Sequence, residues 1–239
     1  GQFPSANYKS ATSTKSVRIF CSNDYLGMGQ HADVLQACHE ALDTSGAGAG
    51  GTRNIAGTTR FHVELETELA SLHAKERALV FSSCFVANDA TLTVMGKLLP
   101  GLVMISDQMN HASMIDGIKH SGCAKIIYRH NDLVDLERIL ASLPIDQPKL
   151  VAFESVYSMS GTISDIAATC ALAKKYNALT FLDEVHAVGM YGAHGAGIAE
   201  RDGVLDQVDI ISGTLGKAFG VGGGYIAGSA SFIDCVRSY

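Results

Sequence analysis

Short apolar, β-branched runs of four or five residues recur along the chain, at Ala78–Phe81, Leu102–Ile105, Lys125–Tyr128, Lys149–Phe153, Ala178–Leu182, Val208–Ile211 and Gly224–Gly228. Gly, Pro, Asp or Asn bounds most of them, which is the punctuation of strands. Between the runs lie longer stretches with a helical period. Phe61–His73 carries apolar side chains at 61, 65, 69 and 72, on one helical face. Ala32–Leu42, Phe85–Leu99, Ala112–Lys119, Leu133–Leu143 and Ser164–Tyr176 follow the same pattern, and a last helix is expected over Ser231–Tyr239. Strand alternating with helix predicts an α/β fold with a mostly parallel central sheet and helices on both faces. Ligands of such sheets gather just beyond the carboxyl ends of the strands, so the residues following each run are the places to look for chemistry.

Composition narrows the possibilities. The chain has 239 residues, 47% hydrophobic and 18% charged, enough apolar side chains for a sizeable core and too many for disorder. The formal net charge of −6 argues against a general nucleic-acid binder, which needs a basic face, though a local pocket for a small anion fits. No run of 18 apolar residues occurs. The polar, Ser/Thr-rich stretch from Gly1 to Lys15 lacks the apolar region of a secretory signal. Cys21, Cys38, Cys84, Cys123, Cys170 and Cys235 form no C-x-x-C pair, and scattered thiols of this kind fit a reducing compartment. Residues 1–16 are expected to be a flexible segment and 17–239 one domain. The final strand and helix run straight into the chain end with no closing element, so the chain is expected to be a fragment with weak or no turnover by itself.

Several local matches fail on context. Gly46–Gly51 fits G-x-G-x-x-G, but it follows a helical pattern rather than a strand, so a flexible loop is the better reading than a dinucleotide site. Ser212–Ala218 contains Gly216-Lys217 without the remainder of a phosphate-binding P-loop. No G-x-S-x-G occurs. Asp183, Glu184, His186 and His194 lack the spacing of a metal-binding helix, so no metal is expected.

Four features that lie past predicted strands converge on one edge of the sheet: Asn110–Ser113, Ser155–Ser158, Asp183–His186 and Ser212–Lys217. Taken singly, Asp183 reads as a helix cap, His111 as a loop imidazole and Lys217 as a surface charge. Together, a lysine near a carboxylate, two histidines and hydroxyls suits pyridoxal phosphate. The amine bonds the cofactor aldehyde, and the carboxylate keeps the pyridine nitrogen protonated. A helix N-terminus after Ser82-Ser83 offers backbone N–H groups to the phosphate, through Cys84 and Phe85, and Thr214 adds a hydroxyl.

These residues carry a resemblance. Ser158, the run Asp183–Gly189 and the run Gly213–Gly220 resemble the α-oxoamine synthases, which are pyridoxal-phosphate enzymes of fold-type I. Cys21–Met28, Gly48–Thr58, Phe81–Asp89 and Asn110–Ile115 extend the likeness over residues 17–239. The glycine loop is similar to that of members acting on glycine and succinyl-CoA, since sister members carry other residues at Thr52 and Asn54. The resemblance implies the large domain of the aspartate-aminotransferase-like fold and decarboxylative condensation of an amino acid with an acyl-CoA. It makes Lys217 the cofactor lysine and the base that takes the glycine Cα proton. Asp183 would meet the pyridine nitrogen, and His111 would stack on the ring. His186 and Ser158 would lie near the ring hydroxyl or the substrate carboxylate, with Tyr25 close to the cofactor. Thr52, Asn54 and Ile55 would line the acyl-CoA pocket, reaching it from the second subunit of a homodimer. The presence of Lys217 with Asp183, His111 and His186 argues against a cofactor-free partner subunit. The run Ser83–Asn88 is similar to eukaryotic members, which act in the mitochondrial matrix, while bacterial ones are cytoplasmic.

Overall fold

A computed structural model describes residues 3–239. Two strands, β1 (Ser5–Lys9) and β2 (Thr14–Arg18), pair antiparallel as a hairpin, and α1 (Ala32–Ser45) follows with no buried residue. The hydropathy pattern predicts neither strand, because β2 is exposed along its whole length and neither strand carries an apolar face.

The body begins at α2 (Arg60–Leu72), where Thr59 and His62 form a reciprocal capping box. The elements after it are β3 (Arg77–Phe81), α3 (Cys84–Leu98), β4 (Val103–Asp107), α4 (Ala112–Ser121), β5 (Ala124–Tyr128), α5 (Leu133–Ala141) and β6 (Lys149–Glu154). They continue with α6 (Ile166–Lys175), β7 (Leu179–Asp183), α7 (Ile198–Arg201), β8 (Ile210–Thr214), β9 (Gly224–Gly228) and α8 (Ala230–Ser238). All seven expected strands are present, and they form one sheet in the order β3-β9-β8-β7-β6-β4-β5. Strands β4 to β8 are parallel, whereas β9 runs antiparallel to both its neighbours.

Both faces of the sheet are covered, as the two-residue period of a strand requires. Val103, Ile105, Val151 and Phe153 pack with Leu136 and Ile139 of α5 and with Ile166 and Cys170 of α6. The intervening residues Met104, Leu150 and Ala152 pack on the opposite face with Leu92 and Met95 of α3 and with Met114 and Ile118 of α4. On this face α3 and α4 approach each other closely. A Cβ on Gly117 would sit 3.0 Å from the backbone of α3 at Asn88 and Asp89, so a side chain there would push α4 away. All six cysteines are unpaired, and no helix among the described residues is long and apolar enough to cross a membrane.

Candidate active site

The parallel strands end together, and their last residues surround a cavity of about 240 Å³. Asp183 ends β7, Glu154 ends β6, Thr214 ends β8, and the N-terminus of α3 follows β3. Lys217 enters from the loop between β8 and β9, and His186 and His111 complete the wall. Six of the expected residues therefore meet around one space: Lys217, Asp183, His186, His111, Thr214 and Cys84, with Phe85 at the rim.

Asp183 is 3% exposed. Its carboxylate accepts hydrogen bonds from Asn88 Nδ2 at 2.7 Å and from the Val185 amide at 2.8 Å. Asn88 also donates to Ser113 Oγ at 3.0 Å, and Ser113 Oγ lies 2.8 Å from His111 Nδ1. A chain of contacts thus joins the carboxylate to the imidazole, and the tight α3–α4 approach at Gly117 makes it possible. On the other side the His111 amide donates to Glu154 Oε1 at 2.6 Å. Glu154 and Asp183 are cross-strand neighbours in the register of β6 and β7.

Two adjacent buried carboxyls cannot both carry charge cheaply. Burial, then the charge of Asp183, pushes Glu154 up to about 8. Burial also raises Asp183, but the Val185 amide, Asn88 and Lys217 oppose it. The two carboxyls therefore titrate as a pair, in which each opposes the ionisation of the other. Burial lowers Lys217, against the attraction of Asp183, Cys84 and Glu154, and so raises its fraction of free amine. Burial, and after it the proximity of Lys217 and His111, brings His186 down to about 4, so its ring is neutral at pH 7. Tyr25 Oη lies 2.9 Å from His186 Nδ1, and burial keeps the phenol protonated. The phenol then donates to Nδ1, which leaves the ring proton on Nε2.

The N-terminus of α3 faces the same cavity. Ser83 caps it by accepting from the Val86 amide at 3.2 Å, while the amides of Cys84 and Phe85 have no acceptor within the helix. A Cβ on Gly224 would fall 2.1 Å from the Cys84 amide nitrogen, so glycine there lets β9 pass directly beneath this turn. Thr214 Oγ1 accepts from the Gly216 amide at 3.1 Å, fixing the start of the lysine loop.

Four expected residues lie elsewhere. Ser158 is exposed in the turn after β6 and does not line the cavity. Thr52, Asn54 and Ile55 sit on an exposed loop, and Ile55 is 87% exposed. Glu154, Asn88 and Ser113 line the cavity with no role assigned from the sequence. Glu154 is one residue beyond the strand run as read from hydropathy, and its place at a strand end was the available signal. For Asn88 the sequence offers only a helical position four residues after Cys84, since its partner is 95 residues away.

The family model for aminotransferase classes I and II matches residues 15–239. The chain is 60% identical over 240 residues to 5-aminolevulinate synthase 1 of Cereibacter sphaeroides, covering 100% of this chain and 59% of that protein. It is 57% identical to the mitochondrial 5-aminolevulinate synthase of Emericella nidulans, covering 99% of this chain and 39% of that one. Among solved structures, serine palmitoyltransferase of Sphingomonas wittichii superposes with a TM-score of 0.89 at 33% identity, over 94% of this chain and 56% of that one. A structure of SPT with PLP gives the same TM-score and identity over 99% of this chain and 61% of that one. The chain spans about two fifths to three fifths of the length of the curated relatives it matches.

Proposed function

The chain belongs to the class I and II aminotransferase family, and on that footing we propose that it is the cofactor-binding part of a 5-aminolevulinate synthase. The reaction is the pyridoxal-phosphate-dependent condensation of glycine with succinyl-CoA to 5-aminolevulinate, CoA and CO2, which feeds haem and other tetrapyrroles. The observation that carries this reading is the meeting of Lys217, Asp183, His111 and the α3 N-terminus around one cavity, in a chain 60% identical to a synthase of that name.

The donor set suits the cofactor. The Asp183 carboxylate, held by Asn88 and the Val185 amide, meets a pyridinium nitrogen. His111 offers an imidazole face to the ring. The Cys84 and Phe85 amides and Thr214 hold the phosphate, and Lys217 supplies the amine for the aldehyde. When bound, the cofactor draws off the electrons released at the substrate α carbon. Burial lowers the affinity of Lys217 for its proton and so enlarges the share of free amine able to take one from the substrate. His186, neutral and oriented by Tyr25, presents Nε2–H as a donor to the ring hydroxyl or to the substrate carboxylate. Ser158 is proposed for the same region.

Thr52, Asn54 and Ile55 are proposed acyl-CoA contacts. None of the three lines the cavity of its own chain, which supports a homodimer in which the loop serves the second subunit's site. The compartment is proposed to be the mitochondrial matrix, supported by the Ser83–Asn88 run and the mitochondrial designation of the fungal relative; fractionation that finds the protein in the cytoplasm overturns it.

The test is to incubate the full-length protein with pyridoxal phosphate, reduce with borohydride and map the labelled peptide. Label on Lys217, together with 5-aminolevulinate formation from glycine and succinyl-CoA, is the expected result. Absence of label, or turnover only with another acyl-CoA, overturns the reading.

A further inference from the structure

The loop that carries Thr52, Asn54 and Ile55 is not slack. The Thr52 carbonyl accepts from three amides, those of Ile55 at 3.1 Å, Ala56 at 3.2 Å and Gly57 at 2.7 Å, so residues 52–57 close into a single tight turn. Gly57 is buried against this turn, where a Cβ would fall 1.9 Å from the Gly51 carbonyl oxygen. Arg53 alone among residues 52–56 is partly buried. Its Nε donates to Thr58 Oγ1 at 3.2 Å. Its Nη2 straddles the Glu66 carboxylate, 2.9 Å from Oε1 and 3.1 Å from Oε2.

Glu66 is anchored on every side. It stands on the buried face of α2 beside Leu69 and Ala70, and its side chain is 10% exposed. Its Oε1 also accepts from the Val80 amide of β3 at 2.9 Å, and Arg237 of α8 reaches Oε2 at 3.4 Å. Asn54 Nδ2 donates to the Arg237 carbonyl at 3.4 Å, a second contact between the loop and α8. A solvated surface ion pair contributes little to stability. This pair differs, because a carboxylate sheltered from water is shared among two guanidinium groups and a backbone amide, which fixes direction as well as distance.

We propose that Arg53 and Glu66 are positioning residues for substrate specificity. The pair pins the 52–58 turn to α2, β3 and α8, so that Thr52 and Ile55 are held exposed and Asn54 is held against the Arg237 carbonyl, as a preformed acyl-CoA contact. With Arg53 anchored to Glu66, Ile55 is held in the open at 87% exposure. This inference rests on the reading of those three residues as acyl-CoA contacts.

The test uses the full-length holoenzyme with Arg53→Met, Arg53→Lys and Glu66→Gln. Arg53→Met is expected to raise KM for succinyl-CoA about tenfold, equivalent to about 1.4 kcal/mol, with kcat and KM for glycine within about twofold of wild type. Arg53→Lys keeps a cation within reach of Glu66 and is expected to recover most of that loss. Glu66→Gln keeps the acceptor for the Val80 amide and is expected to fall between. Hydrogen exchange provides a second measure that needs no turnover. The amides of Ile55, Ala56 and Gly57 are expected to exchange at least about tenfold faster in Arg53→Met, with those of β7 unchanged. Unchanged exchange at these three amides overturns the pin, as does a joint fall in kcat, cofactor loading and affinity for both substrates. A wild-type enzyme that fails to use succinyl-CoA while the exchange result holds would sink the proposed function and leave the pin standing. Should Arg53→Met fail to fold, Glu66→Gln and Arg53→Lys carry the same two measurements.

Discussion

Asp183 and Glu184 are consecutive residues at the end of one strand, and both are buried, at 3% and 0% exposure. They face opposite regions of the molecule. Glu184 looks toward α7, where it accepts from the Ile198 amide at 3.1 Å and the Ala199 amide at 2.8 Å, capping a helix that starts beside Gly197. Asp183 looks into the cavity, with Asn88 and the Val185 amide behind it and Lys217 among the charges that act on it. One carboxyl finds all its partners in packed structure and the other opens onto space. A buried acid is evidence of chemistry only when some of its capacity is left facing a cavity, and burial by itself separates the two sites not at all.

Substitutions turn that contrast into measurements. The largest effect is expected from Lys217→Ala, which removes the only amine lining the cavity among the described residues. Turnover should fall by at least about a thousandfold with the melting temperature little changed. If activity survives, the cavity is not the reaction site. Glu184→Ala should do the reverse, costing about 3 kcal/mol of stability by stripping two buried amides of their acceptor, while the borohydride label on Lys217 persists. Asp183→Asn should lower kcat/KM by about a hundredfold with a smaller cost in stability. Equal losses from Asp183→Asn and Glu184→Gln would erase the distinction between the two sides.

The same contrast carries a pH signature. Burial, opposed by the α7 amides, raises Glu184 to about 7 from an ordinary 4.5. The folded state then binds the proton more tightly than the unfolded one, so this group's contribution is full below pH 4.5 and is lost as pH rises to 7. Over that window it removes about 3 kcal/mol. His73, buried against Tyr225, is pushed down to about 4 and His186 likewise, and both act in the opposite sense, adding stability as pH rises from 4 to 6.5. Chemical denaturation from pH 4.5 to 7 should therefore show Glu184→Gln gaining on wild type as pH rises, and parallel curves would refute the assignment. The smallest effect is expected from Tyr25→Phe, which frees His186 Nδ1 and should cost less than about tenfold in kcat/KM.

Much of this was legible in the chain. The apolar runs mark all seven strands of the central sheet, and Lys217, Asp183, His186 and His111 stand where strand ends place them. The antiparallel course of β9 was legible in principle, since the loop from Leu215 to Gly223 is too short for a parallel crossover. The hairpin of β1 and β2 was not, because pairing without burial leaves no hydropathy signal. Asn88 and Glu66 illustrate the deeper limit. Each is an ordinary polar residue on a helix, and its meaning lies wholly in partners that only the folded sheet brings near.

The position of β9 sets the order in which this molecule can be assembled. Strand β3 has no other neighbour in the sheet, and Arg77 pairs with Gly228, so its first ladder bonds wait on residues about 150 positions downstream, among the slowest contacts for a chain to find. Until β9 arrives, β3 is a strand with both edges bare, and the turn that starts α3 has no floor beneath it. The parallel strands β4 to β7 can zip up while the chain is still growing. The end of the cavity at the α3 N-terminus closes only once Gly224 has emerged, so a nascent chain stalled before it would carry Asp183 and Lys217 without the strand that underlies that turn.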